Sequence, residues 1–286
     1  MLSMLHHAGA RPRTPGRGRR VSVVLVTGAC VALATACGGT RSQAAASPTS
    51  GGLSVSYEAP ARGGGAERDF LRERRPAERV AEDVGGAFRL RKAIAIVGRS
   101  CEKGDVPEYD PETRRIVLCY SYVAEVRSMF ERAHDPDPAG RTAGVITETL
   151  YHEVAHALVD TLKLAPTGRE EDVADQFAAY RLIPRGPEGR AAVLAAADNY
   201  AQYARESRPE DVDLGAEHPP DAARAANYRC YLYGASRAEG SDGDAASDDD
   251  LVDGRVLTEE RASVCEEEYG ALRRGWDGLL GAYRRG

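Results

Sequence analysis

His152, Glu153 and His156 stand in the run Tyr151-His152-Glu153-Val154-Ala155-His156, an HExxH spacing. In a helix, residues four apart share one face with Cβ atoms about 5–6 Å apart, so two imidazoles can hold one tetrahedral zinc. Glu153, beside the first histidine, is placed to serve as a general base and not as a ligand. Ile146, Leu150, Val154, Leu158 and Leu162 form an i, i+4 apolar stripe. His152 lies about 200° around the helix from Leu150, so the histidines point away from that stripe.

A catalytic zinc takes a third protein ligand and keeps one position open. The metzincin continuation of HExxH is excluded, because Val159 and Leu162 occupy the places of its glycine and histidine. The next acidic cluster is Arg169-Glu170-Glu171-Asp172-Val173-Ala174-Asp175. On a second helix, Glu171 and Asp175 share a face. Glu171 can then complete the zinc site while Asp175 accepts a hydrogen bond from the distal N–H of a ligand histidine. Glu170 and Asp172 compete for the ligand role; Glu171 is favoured because it alone has an acid at i+4.

HExxH followed by ExxxD resembles the thermolysin-like zincins, or gluzincins. More closely, the segments YHEVAHALVD, GREEDVADQFA and HPPDAARAANYRCYLYG resemble a metallopeptidase family catalogued only as a domain of unknown function. The turn, strand and cysteine of YDPETRRIVLCY resemble that family's approach to the active helix. The resemblance spans roughly residues 67–234 and is most specific over 168–178. It implies a minimal zincin fold and peptidase activity, and the histidine pair itself calls for one zinc per chain. In zincins the strand leading into the active helix binds an extended substrate backbone, and residues 115–123 fit that place by order. A developing oxyanion needs a donor besides the metal. His218 is the candidate, as the other histidine in a segment resembling the family, with Arg224 or Tyr228 on the following helix as substitutes.

The elements that must position these groups read as an α+β domain, mostly helical, with a small β-sheet before the HExxH helix. Phe70, Leu71, Val80, Val84 and Phe88 recur at helical spacing, 93–97 is a short β-prone run, and 115–123 alternates like a strand. A helix ending near Ala133 is followed by the DPDPAG loop and a long helix over about 142–164, with Thr142 as its cap. Further helices are expected over 170–183, 187–207, 219–233 and 258–283.

Residues 1–37 read as a lipoprotein signal peptide. Five arginines precede an apolar run from Val21 to Ala36 that is too short to span a bilayer, and Leu33-Ala34-Thr35-Ala36-Cys37 resembles a lipobox with Cys37 lipidated. Residues 38–66, rich in Gly, Ser, Ala and Thr, are expected to be a disordered tether. Residues 67–234 are then the zincin-like domain, 235–253 a disordered acidic loop, and 254–286 a C-terminal helix packing on the domain. Cys101, Cys119, Cys230 and Cys265 remain outside the signal, and in an exported chain they read as two disulfides. Of three connectivities, Cys101–Cys119 with Cys230–Cys265 closes short loops.

The chain of 286 residues carries a net charge of −6, and removal of the five signal arginines makes it −11. Such a surface is a poor binder of nucleic acid, and contact with the membrane is expected through the N-terminal lipid only. The reading is a zinc metallopeptidase acting on peptides or proteins outside the cytoplasm, lipid-anchored to a bacterial membrane or, alternatively, secreted. The competing reading is an inactive zincin-like lipoprotein that binds metal or a partner as an adaptor. Intact Glu153 counts against it, since a pure metal binder has no need of that carboxylate.

Overall fold

A computed structural model describes residues 51–61, 63–238 and 250–286. The signal segment with Cys37, the first part of the tether and most of the acidic loop lie outside the described residues. The remainder is the expected α+β arrangement, mostly helical with one small mixed sheet.

The sheet runs in the order β1-β2-β4-β3, from β1 (Leu53–Tyr57), β2 (Ile94–Arg99), β3 (Glu108–Asp110) and β4 (Arg115–Cys119). β1, β2 and β4 are parallel, and β3 pairs antiparallel with β4, Tyr109 opposite Ile116. Two expectations change here. β1 falls inside the expected tether, because Leu53, Val55 and Tyr57 pack on the core while Ser54 and Ser56 face solvent. A period-2 strand is invisible to average composition. The strand expected over 115–123 stops at Cys119, and Tyr120 opens helix α3 (Tyr120–Arg132), whose Val123, Val126 and Phe130 bury at helical spacing. β4 is therefore an interior strand with both edges paired, and β3 is the edge strand on that side. The place expected for an extended substrate on 115–123 is not available.

Helices α1 (Gly65–Arg74) and α2 (Pro76–Ala87) are separated by Arg75 in the left-handed region, which caps the end of one and leads into Pro76 of the other. The long central helix α4 spans Pro138–Leu162, one turn earlier than expected. Its cap is Asp137, whose carboxylate accepts from Gly140 N–H at 2.9 Å, with Pro138 in the first turn. A Cβ on Gly140 would lie 2.0 Å from that carboxylate. Thr142 is inside the helix and donates to the Pro138 carbonyl. Lys163, left-handed, ends α4.

Helix α5 (Glu170–Leu182) packs on α4, followed by α6 (Pro187–Glu206) and α7 (Asp221–Ala238), with α6 also against α4. The expected final helix is two: a short α8 (Glu259–Ala262) and α9 (Cys265–Leu280). Tyr269, Leu272, Trp276 and Leu280 of α9 are buried in the same core as the sheet and α4. The folded region thus runs well past residue 234. The acidic segment is also shorter than 235–253, since α7 continues to Ala238, Leu251 is buried, and Asp253 accepts backbone N–H groups of Arg255 and Val256.

Disulfides join Cys101 to Cys119 and Cys230 to Cys265. The first ties the end of β2 to the end of β4 and encloses β3; the second fastens α7 to the start of α9. Among the described residues no helix is long and apolar enough to cross a membrane.

Candidate metal centre

α4 and α5 meet along the faces that carry His152, His156 and Glu171, and three donor groups converge there. His152 Nε2 lies 3.2 Å from His156 Nε2 and 3.0 Å from Glu171 Oε2, and His156 Nε2 lies 3.4 Å from Glu171 Oε1. Around a zinc with bonds of about 2.0–2.1 Å, tetrahedral donors stand about 3.3 Å apart. Two imidazole nitrogens, each met by one oxygen of the same carboxylate, stand at separations near that value, and the donor chemistry suits the ion.

Glu170 is separated from this point by a ring width. Its Oε1 meets His156 on the opposite nitrogen, Nδ1, at 2.8 Å. Asp172 makes no hydrogen bond or ion pair with either imidazole and belongs to no converging donor group among the described residues. Both competitors of Glu171 therefore fall outside the point of convergence. The backbone supports the choice, because Glu170, Glu171 and Asp172 fill the first turn of α5, where the helix dipole favours carboxylates.

Behind His152 is a buried polar network. Asp175 Oδ1 sits 2.8 Å from His152 Nδ1 and also receives the guanidinium of Arg224, which makes two bonds to Asp175 at 2.6 and 2.8 Å. Tyr228 OH lies 3.2 Å from Asp175 and donates to Glu148. Thr149 and Tyr122 extend the chain of hydroxyls. Arg224 also lies over the ring of Tyr200, 4.0 Å from its centroid. A second cluster of donors, Glu148, His152 and Asp175, gathers on this side. Its positive charge is already supplied by Arg224.

The position of Arg224 and Tyr228 corrects one expectation. Both are buried on the Nδ1 side of His152 and committed to Asp175, so neither faces a substrate carbonyl. His218, the other candidate donor, is half exposed and bonds Glu171 Oε2 at 2.9 Å.

Protonation follows this geometry. Burial alone would push His152 down, but hydrogen bonds to Asp175 and Glu171 lift it to about 10. Burial would raise Glu171, yet bonds from His152, His156 and His218 hold its carboxyl far below the usual range. The carboxylates on both sides of the His152 ring thus favour its charged form. Burial raises Glu153, opposed by the charges of both histidines and by the backbone N–H of Tyr109. The Glu153 carboxyl thus sits above the ordinary glutamate range, the direction that favours a proton acceptor.

Tyr109 is a contact that sequence reading missed. Its phenol donates to Asp160 at 2.8 Å, one turn beyond His156, while its backbone N–H meets Glu153. Edge strand β3 is thereby pinned to α4 beside Glu153. Glu148 was also missed, although its spacing of four before His152 was readable in Glu148-Thr149-Leu150-Tyr151-His152.

No curated protein and no solved structure matches the chain. A family model described as "putative metallopeptidase" matches residues 58–280, which takes in strands β2 to β4, the α4/α5 pair, the 207–220 connection and α9. On the extent of that match, the chain belongs to this metallopeptidase family.

Proposed function

We propose that the protein is a zinc-dependent peptidase of gluzincin type, with His152, His156 and Glu171 as ligands and Glu153 as general base. The observation that carries this reading is the convergence of two Nε2 atoms and one carboxylate at ligand spacing, with the buried carboxylate of Glu153 beside them on the same helix. Zinc in that place would polarise a scissile carbonyl and acidify the attacking water.

The chain's own groups do the rest. Asp175 holds the Nδ1–H of His152 so that Nε2 presents its lone pair inward. Glu153 takes the proton of the attacking water and passes it to the leaving amine. The outer edge of β3, fixed beside Glu153 through Tyr109, is the place where an extended peptide would lie. The two disulfides suit an oxidising compartment, in keeping with an exported protein anchored through a lipid on Cys37.

The test is incubation of the protein with a diverse peptide mixture, with and without chelator, beside a Glu153→Gln control. Cleavage lost with chelator and in the control supports the peptidase. Zinc retained with no peptide ever cut favours a metal- or partner-binding adaptor instead.

A further inference from the structure

His218 reaches the centre from a different kind of element. It lies in the connection between α6 and α7, residues 207–220, and its Nε2 is 2.9 Å from the same Glu171 oxygen that stands 3.0 Å from His152 Nε2. Its ring runs nearly parallel to that of His152, 17° between planes. The donor atoms of His152, Glu171 and His218 all lie within 4.8 Å of one another. Resting on the zinc reading of this site, we infer that His218 is a replaceable fourth ligand, closing the metal in the resting protein and giving way to substrate.

Spacing favours a ligand over an oxyanion donor. A donor to the oxyanion must stand off the metal by the width of the bound carbonyl. His218 Nε2 instead approaches the Glu171 ligand oxygen to 2.9 Å, comparable with the separations among the other donors. Structural zinc sites take four protein ligands, whereas catalytic ones keep a position for water. Here the two arrangements would alternate. Three ligands come from paired helices, and the His218 side chain is 54% exposed, so it can leave without uncovering core.

The connection is built to deliver this side chain. Pro219 restricts His218 to extended backbone, and the Pro220 carbonyl accepts from Ala223 and Arg224 in the first turn of α7. Arg224 is in turn locked on Asp175. On the other flank, exposed Arg169 donates to the Ala216 carbonyl, and Asp213 closes a turn through Gly215 N–H at 2.8 Å. Exposed Val212 and Leu214 leave the middle of the connection without a buried anchor.

The full-length chain loaded with cobalt(II) in place of zinc provides the test, read by its visible ligand-field spectrum and by competition with a chromophoric chelator. His218→Ala removes the imidazole; His218→Gln keeps an N–H donor for Glu171 while removing the ligand nitrogen. The expected result is a change of spectrum in both variants, with metal affinity down by about 10-fold or more. A wild-type spectrum and affinity in His218→Ala would overturn the inference, and a loss confined to kcat would return His218 to the oxyanion role. Restoration by His218→Gln would overturn it as well, leaving only a hydrogen bond to Glu171. Failure of the wild type to take up metal at all would refute the underlying site instead, so the two failures are told apart.

Discussion

His152 and His156 are one turn apart on the same helix, yet the protein holds them by opposite means. His152 is buried, and its Nδ1 is fixed by Asp175, which is fixed by Arg224 and Tyr228, with Glu148 behind. The Nδ1 of His156 meets Glu170, whose side chain is 53% exposed. Helical spacing alone brings two Nε2 atoms near one point. Which way each ring faces is decided by its far nitrogen. One half of the centre is a dry, cross-braced platform; the other is a surface pair that can adjust as a metal or substrate arrives.

The largest expected effect calibrates this comparison, because it touches neither half. Glu153→Gln should leave metal content unchanged and lower peptide cleavage by about 10²–10⁴-fold. Metal analysis and kcat/KM on the same preparation check it. A variant that loses its metal would mean that Glu153 is a ligand, and the division between the two braced histidines and a free base would collapse.

Asp175→Asn comes next and attacks the dry half. It removes the charge that orients His152 and leaves Arg224 buried without its partner, so metal affinity should fall by about 10–100-fold. Competition with a chelator measures this. Cleavage by the metal-loaded variant should fall between wild type and Glu153→Gln, while metal content is lower than in Glu153→Gln.

Much of this centre was legible in the sequence, because HExxH and ExxxD are local patterns on two successive helices. His152, Glu153, His156, Glu171 and Asp175 need only helical periodicity to share faces. What was not legible depends on where a third element lands. Arg224 and Tyr228 sit on α7, and only the packing of that helix shows that they brace Asp175 and do not meet substrate. The apolar stripe on α4 suggested a polar outer face for the histidines, but Glu148, Thr149, His152 and Glu153 are buried too, because α5 and α7, with Tyr122 of α3 and Tyr109 of β3, meet that face with matching polar groups. Strand β1 escaped notice since Ser54 and Ser56 dilute its composition, and the edge role of β3 escaped because three residues carry no period. The break at Cys119 was hidden because alternation continues into the first helical residues.

A smaller effect is expected at Glu148, which sharpens how dry the platform is. Burial, reinforced by the charge of Asp175, pushes its carboxyl up to about 7 from an ordinary value of 4.5. Between those values the folded chain keeps a proton that the unfolded chain has released. The unfolding free energy contributed by this group is therefore full below about 4.5 and is lost as pH rises through about 7. Glutamine has the shape of the protonated form and titrates in neither state. Urea melts of the metal-free chain should show Glu148→Gln gaining on wild type from pH 4.5 to 7.5 and levelling off above. His152 titrates in both proteins and largely cancels in the difference, and Asp175, held low by Arg224, lies below this range. A difference that stays flat with pH would mean that water reaches the platform.

Glu170→Gln should have the smallest effect, and it tests the exposed half directly. Glu170 touches His156 at Nδ1, so an uncharged amide oxygen can still accept the same N–H. The charge removed is half in solvent, and exposed ion pairs contribute about 0.2–1 kcal/mol, which is less than about 5-fold in metal affinity. Glu171→Gln presents the contrast one residue away. It takes a ligand charge from a buried side chain bonded to three histidines, so its loss of metal should exceed even that of Asp175→Asn. Measuring both variants by the same chelator competition places the boundary between platform and surface at a single residue. Equal losses at Glu170 and Glu171 would show that the two halves are held alike, and a larger loss at Glu170 would shift the ligand register on α5 by one position.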